Sequence, residues 1–170
     1  MKSANILSLS ELTDDKLLKN YFKYLNISMK EHEIQTLKHF CNNVRQIEKL
    51  AEYFDHFFVG YVIPQISKEF DLLRISKNSI INIELKQNAS EEKIQKQLIQ
   101  NKYYLSCIEK PLYLFAYVEK ENKLHMLDED EHVVSIDFCD LLSLLEQQKD
   151  FFCDDLDMLF NPSSFLVSPF

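Results

Sequence analysis

The chain contains a single glycine, Gly60, among 170 residues. Its turns must therefore be made by Asn, Asp, Ser and Lys, with few positions that demand a positive φ. A glycine loop that cradles phosphate is excluded, so the chain holds neither a P-loop nor a dinucleotide-binding fingerprint. No internal repeat or low-complexity tract interrupts it. The length suits one full domain with its own core and not two comfortable ones. Apolar residues at 46% and charged residues at 27% place it among ordinary globular proteins. No apolar run approaches the twenty residues of a membrane span. Met1-Lys2-Ser3-Ala4-Asn5 leads into alternating polar and apolar residues rather than the apolar block of a signal peptide, so a cytoplasmic protein without membrane association is expected.

The four cysteines, Cys41, Cys107, Cys139 and Cys153, stand singly, and the five histidines form no HxH or HExxH pattern. Reduced thiols, buried among apolar neighbours, fit better than a structural zinc site. A net charge of −8 argues against a nucleic-acid partner, since phosphate binding depends on Lys and Arg. Its distribution reverses that argument. Residues 68–118 carry eight basic and six acidic side chains, whereas residues 119–157 carry three basic and thirteen acidic ones. The acidity is confined to the C-terminal quarter, as a solvated face, a surface that repels misplaced DNA, or one that meets a basic partner.

Periodicity divides the chain. Thr13 is placed to cap a short helix through Leu17, Leu18, Tyr21, Phe22 and Leu25. Ser28 and Glu31 form a capping-box pattern. Ile34, Leu37, Cys41, Val44, Ile47, Ala51 and Phe54 then follow one helical face, as one long helix or two with a break near Asn42-Asn43, ending around Phe57. Phe58 to Ile66, with Pro64 inside, suits an edge or terminal strand. Residues 69–75 and 80–87 read as strands joined by Ser76-Lys77-Asn78-Ser79. Asn88 or Ser90 caps a helix running to about Cys107, with Glu91 and Glu92 in its first turn. Residues 112–118 are apolar on both faces, as in a buried central strand. Glu121-Asn122 turns the chain into a strand over 123–127, and a helix follows Asp137.

Centring the hairpin turn on Lys77-Asn78 sets Ile75 opposite Ile80, Leu73 opposite Asn82 and Asp71 opposite Glu84. Opposed residues of an antiparallel pair point to one face with Cβ atoms roughly 4.5–5.5 Å apart. Lys86, two residues beyond Glu84, shares that face, while Ile81, Ile83 and Leu85 go to the other. Two opposed carboxylates repel, and a hard divalent cation such as Mg²⁺ or Mn²⁺ removes the conflict. Such an ion acidifies a water and polarises a phosphoryl group, and Lys86 is placed to orient that water and offset charge on phosphorus. The bland alternative is a solvent-facing hairpin edge carrying a Glu/Lys pair.

Glu69-Phe70-Asp71, then Ile81-Asn82-Ile83-Glu84-Leu85-Lys86, then a helix, resemble the core of the PD-(D/E)XK, restriction-endonuclease-like nucleases over residues 44–118. The resemblance implies an α/β (α+β) fold with an αβββαβ core around a mixed sheet. It assigns the motif's acidic residue to Asp71 and its (D/E)xK to Glu84 and Lys86, with Phe70 in place of the motif's proline. It also implies a helix glutamine near the site, for which Gln97 fits, with Asn101 on the same face. A first-helix glutamate implied as a further metal ligand falls to Glu52 or Glu48, and Glu69 is a further candidate. Residues 60–71 are also similar to nuclease-like domains that precede superfamily I helicase domains in low-GC Gram-positive bacteria, which implies DNA processing or antiphage defence.

The expected layout is an N-terminal helical extension over 1–43, a nuclease core over 44–135, and a C-terminal helix and linker over 136–170. The apolar ending, Phe165-Leu166-Val167-Ser168-Pro169-Phe170, suits either a docked C-terminus or a chain that continues towards a helicase domain or subunit. The function expected is a Mg²⁺- or Mn²⁺-dependent deoxyribonuclease. Asp71 and Glu84, with Glu52, would hold metal; Asp71, Glu84, Lys86 and Gln97 would carry catalysis; Lys93, Lys96 and Lys102 would contact phosphate. The alternative is a non-catalytic module of the same fold that binds nucleic acid or protein.

Overall fold

A computed structural model describes residues 1–47 and 51–160. Its helices are α1 (Ile6–Glu11), α2 (Asp15–Leu25), α3 (Glu31–Ile47), α4 (Glu91–Leu105) and α5 (Phe138–Gln147). Its strands are β1 (Phe58–Ile63), β2 (Lys68–Ile75), β3 (Ile80–Lys86), β4 (Leu112–Val118), β5 (Lys123–Leu127) and β6 (Val133–Ile136). The six strands form one mixed sheet in chain order, antiparallel except for the parallel β3–β4 pair. α4 makes the crossover that this parallel pair requires. The expected α/β fold with a mixed central sheet is therefore present. Among the described residues, no helix is long and apolar enough to cross a membrane.

The sheet is covered on both faces, which is why β3 and β4 are apolar on both sides. Ile81, Ile83, Leu85, Phe115 and Tyr117 pack with Leu37, Phe40 and Val44 of α3 and Leu141 and Leu145 of α5. Ile80, Leu114, Ala116 and Val118 pack with Ile94, Leu98 and Leu105 of α4. Pro64 follows the last residue of β1, an edge strand, where a missing N–H costs no ladder bond.

Several local readings are corrected. Asp14, not Thr13, caps α2, because its carboxylate reaches the N–H groups of Lys16 and Leu17 at 2.9 Å. At α3 the reciprocal cap comes from Glu33 rather than Glu31: its Oε2 accepts the Lys30 N–H at 2.7 Å. α3 runs unbroken through Asn42-Asn43, where Asn43 turns its amide onto the His39 carbonyl and the Tyr117 hydroxyl. It also crosses the proposed boundary at 43/44, so its N-terminal part packs into the same core as the rest. α1 and β6 escaped the pattern because each is too short to show a period. Positive φ is commoner than one glycine suggests: Asn26, His56, Ser67, Glu109, Asn122, Glu131 and Asp150 all adopt it.

Candidate active site

The turn at Ser76-Lys77-Asn78-Ser79 closes through the Ser76 N–H to the Ser79 carbonyl at 2.9 Å, and the hairpin has the expected register. Ile75 faces Ile80, and Leu73 faces Asn82. The β2–β3 pairing continues to Leu72–Ile83 and stops there. At the next level the Leu85 N–H donates to Oδ2 of Asp71 at 2.8 Å, so a side-chain oxygen takes a donor that a backbone carbonyl would take in a continuing ladder. Asp71 thus stands in the fork where β2 leaves β3, rather than as one half of a regular pair with Glu84.

Glu84 lies on β3 facing α4, 1% exposed, with small Ala116 as its neighbour on β4. A buried carboxylate is costly unless hydrogen-bonded, and this one is surrounded by amides. Oε1 accepts from Nδ2 of Asn101 at 2.8 Å and Nδ2 of Asn82 at 3.2 Å. Oε2 accepts from Nε2 of Gln97 at 2.6 Å, and Lys86 Nζ lies 4.0 Å from the same oxygen. The amides are tied to one another: Asn101 also donates to Asn82 Oδ1 at 2.7 Å, and Asn82 to the Leu72 carbonyl at 3.0 Å. Gln97 and Asn101 reach the same carboxylate because they stand one turn apart on the buried side of α4. Asn82, absent from the sequence-derived site, was marked only by its polarity inside an apolar strand.

Burial, and after it the charge of Glu84, pushes the Asp71 carboxyl up to about 8, against the opposing pull of the Leu85 N–H and Lys86. Burial and then Glu33 raise Glu69. Burial lowers the Lys68 ammonium, whose surrounding charges are Glu84, Lys86, Asp71 and Glu69. Glu33, at the start of α3, therefore acts on both Asp71 and Glu69.

The other expected residues separate. Glu52 is not brought to this group: it is exposed, and its carbonyl accepts from Nη2 of Arg74 at 3.1 Å, beyond the fork along β2. Glu48 lies outside the described residues. The α3 carboxylate whose charge acts on Asp71 and Glu69 is Glu33, which lies before residue 44 and so outside the expected core. Lys93 and Lys96 are exposed on α4, with Lys93 one turn before Gln97. Lys102 is committed to Glu131, with its Nζ 2.9 Å from Oε1.

Among the described residues, no three His, Cys, Asp or Glu side chains stand together as a metal cage. The donor set nonetheless fits a hard divalent ion. A carboxylate has about four acceptor positions, and amides take three at Glu84, leaving room on Oε2. Asp71 is raised first by burial and then by the charge of Glu84, and the pull of Lys86 does not offset the two. Two carboxylates completed by water and phosphate oxygens are a common Mg²⁺ arrangement. No protein-family model matches the chain, and neither a curated protein nor a solved structure matches it.

Proposed function

We propose that this chain is a Mg²⁺- or Mn²⁺-dependent nuclease domain that hydrolyses DNA phosphodiester bonds, on a restriction-endonuclease-like core formed by α3, β1–β3, α4 and β4. The observation that carries the reading is the fork: Asp71 sits where β2 and β3 part, beside a buried Glu84 with Lys86 at its rim. A structural carboxylate pair would be an unusual thing to bury, since burial penalises each charge and neighbouring like charges repel.

Asp71 and Glu84 would hold the cation, with Glu33 offering a further acidic group from α3. When bound, that ion supplies Lewis-acid polarisation of the phosphodiester and of the attacking water. Lys86 orients the water and offsets charge on the phosphoryl oxygens. Gln97, Asn101 and Asn82 fix the Glu84 carboxylate, so little reorganisation is needed at the site. Lys93 and Lys96 are the exposed cations of α4 available to the DNA backbone, and association with a helicase domain or subunit belongs to the same proposal. Plasmid cleavage in Mg²⁺, abolished by Lys86→Ala, is the test. Equal activity in wild type and variant would exclude this catalytic role.

A further inference from the structure

Resting on that reading, we infer that Lys68 is a phosphate-binding residue of the site, uncovered when a divalent cation occupies Asp71 and Glu84. Lys68 opens β2, where it pairs with Ile63, and the next pair on the same side is Phe70–Tyr61. Phe70, Tyr61 and Ile63 all pack on the α4 side of the sheet, the side on which Glu84 and Lys86 stand. Strand alternation therefore points Lys68 to the α4 side too. Its ammonium lies 5.4 Å from the centre of the Phe70 ring. The charged groups that act on it are Glu84, Lys86, Asp71 and Glu69; Glu33 and Lys30 act on Glu69 beside it.

Without metal, the ammonium of Lys68 has Glu84 and Glu69 as opposing charges, joined by Asp71 as it ionises. A divalent ion on Asp71 and Glu84 offsets their attraction and leaves Glu69 alone to balance two ammonium groups, Lys68 and Lys86. An anion is then required, and in a nuclease the backbone phosphate beside the scissile one supplies it. Metal and DNA are thereby coupled through charge: each lowers the cost of the other. The Phe70 ring beneath the ammonium helps hold Lys68 in place through a cation–π contact.

The test is anisotropy of a fluorescein-labelled 20-base-pair duplex, titrated over a salt series in Ca²⁺ and again in EDTA, with wild type, Lys68→Gln and Lys68→Arg. Neutralising one phosphate contact lowers the slope of log affinity against log salt by about 0.9. That loss is expected for Lys68→Gln in Ca²⁺ alone, with Lys68→Arg retaining the wild-type slope and both variants keeping the wild-type circular dichroism. An unchanged slope in Lys68→Gln overturns the role of Lys68 and leaves the nuclease reading standing. Duplex binding absent from the wild type in both conditions overturns both.

Discussion

Gly60 and Asp71 stand level with each other on neighbouring strands, between the Val59–Leu72 and Tyr61–Phe70 pairs. At this point both strands change the face they present. Val59 and Leu72 pack towards α3, whereas Tyr61 and Phe70, two residues along each strand, pack towards α4. Residues two apart on a regular strand share a face, so the twist is concentrated at Gly60 and Asp71. Gly60 permits it with a φ of +63° and also leaves space for the Ser28 carbonyl, 2.9 Å from where a Cβ would sit. The same point brings Ser28, in the segment before α3, against Gly60.

Gly60→Ala is accordingly expected to be severe. A side chain at this φ costs about 1–3 kcal/mol, and the clash with backbone at Ser28 adds to it. A loss of about 3 kcal/mol, read from urea midpoints, is the predicted outcome. The companion Ser67→Gly, at a positive-φ turn outside the fork, should be neutral or stabilising.

The Asp71 carboxyl makes stability depend on pH in a defined direction. Its folded value of about 8 lies above the ordinary carboxylate value near 4, so the folded state holds the proton more tightly. Its contribution is complete below about pH 4 and is lost as pH rises towards and through 8. In EDTA, unfolding midpoints should fall between pH 5 and pH 8. Asp71→Asn should flatten the fall, and saturating Mg²⁺ should reverse it. Mg²⁺ affinity should rise over the same window, since the metal competes with the proton.

The amide set around Glu84 should matter to stability more than exposed polar residues do. Asn101→Leu leaves Asn82 Oδ1 without its donor and Glu84 Oε1 with only the longer Asn82 bond at 3.2 Å. An unsatisfied buried acceptor costs about 1–3 kcal/mol, so a loss of about 2–3 kcal/mol is expected by thermal or urea unfolding. Lys96→Ala, on the exposed side of α4, should stay within about 0.5 kcal/mol of wild type.

Glu33 and Glu52 offer a direct contrast. Removing a group that supports metal ligands commonly weakens metal binding 10–100-fold. Glu33→Ala should weaken Mn²⁺ binding by about tenfold in calorimetry. Glu52→Ala should leave it unchanged, because the Glu52 side chain is exposed and its backbone carbonyl meets Arg74, away from this group. Equal effects of the two substitutions would remove Glu33 from the site.

Much of this molecule is determined by local pattern. The two-sided apolar runs define β3 and β4, the four-residue polar turn fixes the β2–β3 register, and the spacing of Gln97 and Asn101 puts them on one helical side. These features depend on periods of two and 3.6 residues, which a sequence carries in itself. The end of the β2–β3 pairing at Leu72–Ile83, the capture of the Leu85 N–H by Asp71, and the convergence of Asn82, Gln97 and Asn101 on Glu84 are not local. Nor is the electrostatic effect of Glu33 on Asp71 and Glu69, which depends on where α3 packs against the sheet. Contacts between residues distant in the chain decide these, because only the packed layers fix which polar groups lose water together and must satisfy one another.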